Sequence, residues 1–288
     1  MPVSHDRISI IIPACNEEDG LRKILPRLVE LYRDAEILVV NDGSSDATEA
    51  VCLEHGVRVL NRPARTGNGA AIKAGTRAAK GDILVFMDAD GQHDPDEIQA
   101  LLAEFDRGYD MVIGARTAGA HAGLPRRAAN GVYNILATWI TSHPVPDLTS
   151  GFRAVRAEKF REFLHLLPNG FSYPTTITMA FFRSGYTVSY VKVTVLRRVG
   201  TSHIRPVRDG IRFLLIIFKI GTLYTPLKFF VPISFLIFST GLGYYLYTFV
   251  TQGRLTNMSV LLFMTAILVF FIGIVSEQLT MLFYRDKN

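Results

Sequence analysis

Asp88, Asp90 and Gln92 alternate just beyond the apolar run ILVFM. In an extended chain, residues two apart project to the same side, so oxygen-bearing side chains at that spacing can converge on one hard cation. A divalent metal there would bridge a nucleoside diphosphate and neutralise the charge that develops as it leaves. A solvated acidic turn uses the same residues, and an isolated DxD is common. Two further polar clusters, CNEE and NDGSSD, each follow an apolar run and favour a site. GNGAAIK (67–73) lacks the GxxxxGK[ST] spacing, and Ile72 stands where the third glycine of GxGxxG would be. That segment reads as a helix entry whose amides remain able to face a ligand.

Such clusters need a scaffold that brings them to one edge. ISIIIPA (8–14), AEILVVND (35–42), VRVLN (57–61), GDILVFMDADG (81–91) and YDMVIGAR (109–116) read as strands. Helical segments separate them: a stretch running to Arg33, SDATEAVCLEH capped by Ser45 or Asp46, GNGAAIKAGTRAAK, and DPDEIQALLAEF with Pro95 just inside its start. The alternation predicts an α/β fold with a mostly parallel sheet covered on both faces. Ligands of such sheets bind beyond the carboxyl ends of the strands, where the three polar clusters fall.

The remainder of the 288 residues has a different character. Hydrophobic residues make up 49% of the chain, and the excess lies after Arg212. Phe229–Val250 carries no charge; after TQGRLTNM a second run begins at Ser259 and reaches Arg285. Each run is long enough to cross a hydrocarbon core of about 30 Å, giving spans at about 229–250 and 259–283. A buried hairpin would need more chain to cover it. Segment 206–228 mixes basic and apolar residues as an amphipathic interfacial helix does, with Pro226 breaking it before the span. The expected divisions are therefore 1–205, 206–228 and 229–288.

Arg197, Arg198, His203, Arg205, Arg208, Arg212, Lys219 and Lys228 precede or flank the first span. Nucleic acid could use such a cluster, but its place beside an apolar tail favours anionic lipid headgroups. With only Arg254 in the link between spans, the positive charge predicts both termini on the cytoplasmic side of a cell membrane. Glu277 falls near the cytoplasmic end of the second span, where a carboxylate is less costly than at the bilayer centre. Cys15 and Cys52 supply no disulfide framework, which suits a reduced compartment, and the short apolar run before Asn16 is no secretory signal.

PACNEE, VVNDGSSDAT, GNGAAIKAG, KGDILVFMDADGQHDPDEI, DLTSGFRAVRA and RRVGTSH, in that order, resemble the inverting family-2 glycosyltransferases of the GT-A fold. With the paired terminal spans, the chain is most similar to the dolichyl/polyprenyl-phosphate sugar synthases, of dolichol-phosphate mannose synthase type. The resemblance implies a Rossmann-like catalytic domain, an interfacial region and a transmembrane hairpin. It places Pro13, Cys15, Glu17, Val40 and Asp42 around the base and ribose of a GDP- or UDP-linked sugar. It sets Asp88 by the diphosphate, and Asp90 and Gln92 on Mg²⁺ or Mn²⁺. Arg116, Arg127 and Arg197 would contact phosphates of donor or acceptor, a task suited to arginine's fixed fork, with Arg126 and Arg198 as alternates. Two departures stand out: Cys15 where the family commonly has Tyr, and His203 where it commonly has Lys.

The reaction so implied is a direct displacement at the anomeric carbon by an oxygen of a polyprenyl phosphate. That oxygen is already anionic near neutral pH, so no strong base is needed, and metal and arginines supply electrostatic stabilisation. A hydroxyl acceptor on a lipid or glycan would need a base; Asp147 in PDLTSGF is the candidate, alongside a turn-forming role. A catalytically inactive membrane scaffold is the rival of another class. Trp139, the only tryptophan, reads as a packing residue, and a homo-oligomer is compatible with the sequence.

Overall fold

A computed structural model describes residues 7–116, 124–170, 172–194, 215, 218, 221, 222 and 224–285, with side-chain detail outside 124–130 and 283–285. The chain divides into two units, Met1–Phe213 and Leu214–Asn288, each described by itself.

The first unit is built on a sheet whose central strands are continuous apolar runs. β1 (Ile8–Ala14), β2 (Glu36–Asp42) and β4 (Ile83–Phe86) bury almost every side chain, as a sheet covered on both faces requires. Between them lie α1 (Glu18–Leu31), α2 (Thr48–Glu54), β3 (Arg58–Arg62) and α3 (Asn68–Ala78). A 3-10 turn, Pro95–Glu97, leads into α4 (Ile98–Phe105), followed by β5 (Met111–Arg116) and α5 (Leu124–Thr141). The unit continues through β6 (Arg153–Arg156), α6 (Ala157–Glu162), α7 (Tyr173–Arg183) and β7 (Val188–Val193).

Strand order is β3-β2-β1-β4-β6-β5-β7. Every strand is parallel to the rest except β6, which runs antiparallel between β4 and β5. The mostly parallel α/β sheet is as expected, and β6 and β7 add to the five strands read from sequence. The order reverses between β1 and β4, and a crevice opens at that switch point beyond the strand ends.

Local chemistry fixes the helices. Leu21, Ile24, Leu25 and Leu28 place one apolar face of α1 on the sheet. Neither Ser45 nor Asp46 is the cap of α2, which is Ala47; Asp46, one residue earlier, accepts from the Thr48 amide at 3.1 Å. Asp94 caps the 3-10 turn, and Pro95 sits in its first position. Trp139, expected to be a packing residue, is 44% exposed on α5.

In the second unit, α8 (Pro226–Gln252) and α9 (Asn257–Arg285) form a hairpin. Both helices are long and apolar enough to cross a membrane, and only 6% and 17% of their most apolar stretches are buried. Their low burial differs from the mostly buried core hairpin of a soluble domain. Gly241 and Gly273 let the helices approach: a Cβ at Gly273 would stand 2.6 Å from Phe230 Cβ. Residues 221, 222 and 224 are helical, Thr225 is not, and Pro226 opens α8, so the helix breaks at the proline as expected. Glu277 Oε2 accepts from the Leu227 amide at 3.4 Å, in the first turn of α8.

Candidate active site

The carboxyl ends of β1, β2 and β4 deliver their polar residues to one cleft of about 280 Å³. Pro13, Cys15, Glu17, Asp42, Asp88 and Asp90 all line it, so six of the residues singled out in the sequence meet there. Val40 does not: its side chain is fully buried beneath α3, where a Cβ on Gly75 would come within 3.0 Å of Val40 Cγ2.

The loops bearing these residues brace one another. Asn16 takes a left-handed backbone conformation (φ 56), which asparagine tolerates. Its side-chain oxygen accepts from the Ser45 amide at 2.8 Å, joining the loop after β1 to the loop after β2. Asp42 turns inward on its own chain. Its carboxylate accepts from the amides of Thr66 at 3.1 Å and Gly67 at 2.7 Å, and from the Thr66 hydroxyl at 2.8 Å. Asp42 therefore shapes the wall that carries Arg65, a cationic residue lining the cleft that the sequence reading passed over. Three amides at the entry to α3, those of Gly67, Gly69 and Ala70, are taken up within the chain. Gly69 N donates to the Gly170 carbonyl at 3.1 Å, and Ala70 N to Asn169 at 2.8 Å.

The DAD segment reaches the cleft by a route different from the one its alternation suggested. β4 ends at Phe86, and the chain turns at Ala89–Asp90, with Gly91 left-handed (φ 69). Asp90 accepts from the Gln92 amide at 3.2 Å, closing this turn. Asp88 and Asp90 still reach one cavity, whereas Gln92, expected beside them on the extended chain, is not among the residues lining it. Gly20 of α1 lies against the same turn, where a Cβ would fall 2.0 Å from the Ala89 carbonyl oxygen. His93 stacks on Phe152 with ring centroids 4.7 Å apart and holds Nε2 3.9 Å from Asp88 Oδ2.

Among the described residues, no three His, Cys, Asp or Glu side chains form a complete metal cage. Asp88 and Asp90 nonetheless fit Mg²⁺ or Mn²⁺ as such ions are often bound, by one or two carboxylates with the other positions left to substrate phosphates and water.

Arg116, at the end of β5, points its fork at Asp147. Nε and Nη2 donate to the two carboxylate oxygens at 2.7 and 2.9 Å, and the Arg116 amide adds a third bond at 3.2 Å. Nη2 also donates to the Thr149 hydroxyl. Burial works to raise the Asp147 carboxyl, but the bonds and charge of Arg116 outweigh it and hold the group below its ordinary value. A buried carboxylate so occupied is a weaker base, which counts against the base role expected for Asp147 with a hydroxyl acceptor. Arg126 and Arg127 lie on α5, beyond the reach of side-chain description. Arg197, Arg198, His203, Arg205, Arg208, Arg212 and Lys219 lie outside the described residues.

Burial pushes the Cys15 thiol above its ordinary value, and Arg65 only partly offsets this, so the thiol is protonated at pH 7. Arg153 of β6 was also missed. Fully buried, it donates to the Pro174 carbonyl at 3.2 Å and the Thr178 hydroxyl at 3.1 Å, tying β6 to the start of α7.

Comparison with known proteins matches residues 9–164 to the model of Glycosyl transferase family 2, and residues 225–282 to the GtrB C-terminal hairpin. An uncharacterized glycosyltransferase of Mycobacterium bovis is 32% identical over 199 residues, covering 68% of this chain and 88% of that protein. The polyprenol monophosphomannose synthase of Mycolicibacterium smegmatis is 32% identical over 207 residues, covering 67% and 78%. Among solved structures, glucosyl-3-phosphoglycerate synthase from Mycobacterium tuberculosis, in complex with Mn²⁺ and UDP-glucose, superposes with a TM-score of 0.59. It is 23% identical, with 73% of this chain and 78% of that one covered, a likeness of fold.

Proposed function

Because the chain belongs to glycosyl transferase family 2, we propose that it moves a hexose from a GDP- or UDP-linked donor to a polyprenyl phosphate, with inversion, at the cytoplasmic face of a membrane. The observation that carries the choice of acceptor is the Arg116–Asp147 pair. A hydroxyl acceptor must lose a proton as it attacks, and Asp147, the carboxylate read as its candidate base, is bound by Arg116 through both oxygens. A phosphate oxygen needs no such base. Two apolar helices and the likeness to a polyprenol monophosphomannose synthase support the same acceptor.

In this reading, Pro13, Cys15 and Glu17 wall the nucleoside, and Arg65 faces its phosphates from the opposite loop. Asp88 and Asp90 would hold Mg²⁺ or Mn²⁺, which neutralises charge on the leaving diphosphate when bound. Gln92 is proposed as a further ligand only if the turn at Asp90 opens. Arg116, whose Nε and Nη2 are bound to Asp147, is proposed to meet a phosphate through Nη1, while Arg127 and Arg197 are the further phosphate contacts. The bond from the anomeric carbon to the diphosphate breaks as the bond to the acceptor oxygen forms, and the diphosphate departs with the electron pair. The protein contributes alignment and fixed charge.

The test offers detergent-purified protein a polyprenyl phosphate and the matching polyprenol in parallel, with one nucleotide sugar. Glycolipid from the phosphate and none from the alcohol is expected. Efficient glycosylation of the alcohol would reject the phosphate acceptor.

A further inference from the structure

A second recess, of about 70 Å³, adjoins the nucleotide cleft and shares Asn68 and Asp88 with it. That volume holds roughly five to seven waters, the scale of one monosaccharide ring and far too small for a nucleoside. Its far wall is the start of α7, where Ser172 and Thr175 are 4% and 1% exposed. The hydroxyl oxygens of both are buried without a hydrogen-bond partner among the described residues. A buried hydroxyl left unbonded is costly, so two on residues that line one recess call for a ligand that bonds them. Ser172 is also held left-handed (φ 82), a conformation that serine seldom adopts.

The lining chemistry selects the ligand. No lysine or arginine borders the recess among the described residues, so no side-chain cation there calls for an anion. Hydroxyls that donate and accept, a carboxylate that accepts, and the Asn68 amide together suit a neutral ring bearing several hydroxyls. We propose that this recess seats the sugar of the donor, and that the Ser172 and Thr175 hydroxyls select which sugar is transferred. The assignment rests on the glycosyl-transfer reading and adds to it the residues that discriminate between sugars. Arg153 supports them from behind by fixing the Pro174 carbonyl between the two.

The test uses the full chain in detergent with its best nucleotide sugar and the deoxy analogues of that donor. Thr175→Val keeps the shape and removes the hydroxyl, Ser172→Gly removes the hydroxyl and suits the backbone, and Thr175→Ser restores a hydroxyl. Each of the first two should lower kcat/KM for the best donor by about 10–100-fold and erase its advantage over one deoxy analogue. Inhibition by the free nucleoside diphosphate should not change, and Thr175→Ser should recover most of the selectivity. Unaltered selectivity in both variants, or equal loss of nucleoside diphosphate binding, overturns the assignment. Absence of transfer by the parent protein with any donor is a failure of the reaction reading, and calorimetry then decides the recess. The nucleotide sugar must bind more tightly than its nucleoside diphosphate and Thr175→Val must remove the difference; equal affinities in the parent overturn the subsite.

Discussion

Arg116 and Asp147 form a two-pronged pair, Nε to Oδ2 at 2.7 Å and Nη2 to Oδ1 at 2.9 Å, between the end of β5 and the loop before β6. Side-chain exposures of 28% and 8% leave it little screened by water. A single charged acceptor thereby fixes the arginine fork and becomes less basic itself.

Replacing Asp147 by Asn should leave Arg116 partly buried without its counter-charge. Chemical unfolding should show a loss of roughly 3 kcal/mol, the scale of a broken buried pair. Activity should fall through misplacement of Arg116, with the acid limb of the pH–rate profile unmoved. Disappearance of that limb in the variant would restore Asp147 as a base.

Acid should destabilise the fold through the same residue and through Asp110. Burial works to raise Asp110, but Lys159 at 2.7 Å and the Thr187 amide hold it below its ordinary value. Carboxylates depressed in the folded state stabilise it above their unfolded pKa of about 4 and lose that contribution as pH falls through the folded value. Thermal midpoints should be level from pH 7 to about 5 and then decline. Asp110→Asn should be less stable at pH 7 and decline less on acidification.

The two cysteines should separate cleanly under alkylation. Cys15 lines the cleft, whereas Cys52 is fully buried with its thiol pushed up to about 11. Mass spectrometry after iodoacetamide treatment should find label on Cys15 alone, slow at neutral pH and faster as pH rises. Nucleoside diphosphate should protect it. Labelling that nucleotide leaves unchanged would remove Cys15 from the donor site.

Gly20→Ala tests the support beneath the acidic turn. An added Cβ would meet the Ala89 carbonyl oxygen at 2.0 Å, so α1 or the Asp90 turn must move. A shift of that size should weaken Mn²⁺-dependent nucleotide binding by on the order of 10-fold. Binding without Mn²⁺ should change less. Equal losses in both conditions would indicate general damage to the fold.

The sequence made the central strands plain because Ile8–Ile12, Leu38–Val40 and Ile83–Phe86 are unbroken apolar runs that only a doubly covered sheet can bury. β6 escaped notice because RAVR offers two small apolar residues between arginines. Nothing local shows that Arg153 is fully buried, since its partners Pro174 and Thr178 lie on α7. β7 was missed because SYVKV is a half-buried strand with a lysine inside it. Asp88 and Asp90 were found by their types, although a turn and not an extended strand brings them together. Arg65, Ser172 and Thr175 carry no pattern of their own and gain meaning only where loops distant in sequence meet.

The most direct measurement is product formation by the purified protein in detergent, with polyprenyl phosphate, Mn²⁺ and a panel of GDP- and UDP-linked sugars. One donor should yield a glycolipid, and chelator or Asp90→Ala should abolish it. Donor hydrolysis without glycolipid, or glycolipid formation that survives both chelator and Asp90→Ala, would contradict metal-assisted transfer to a lipid phosphate.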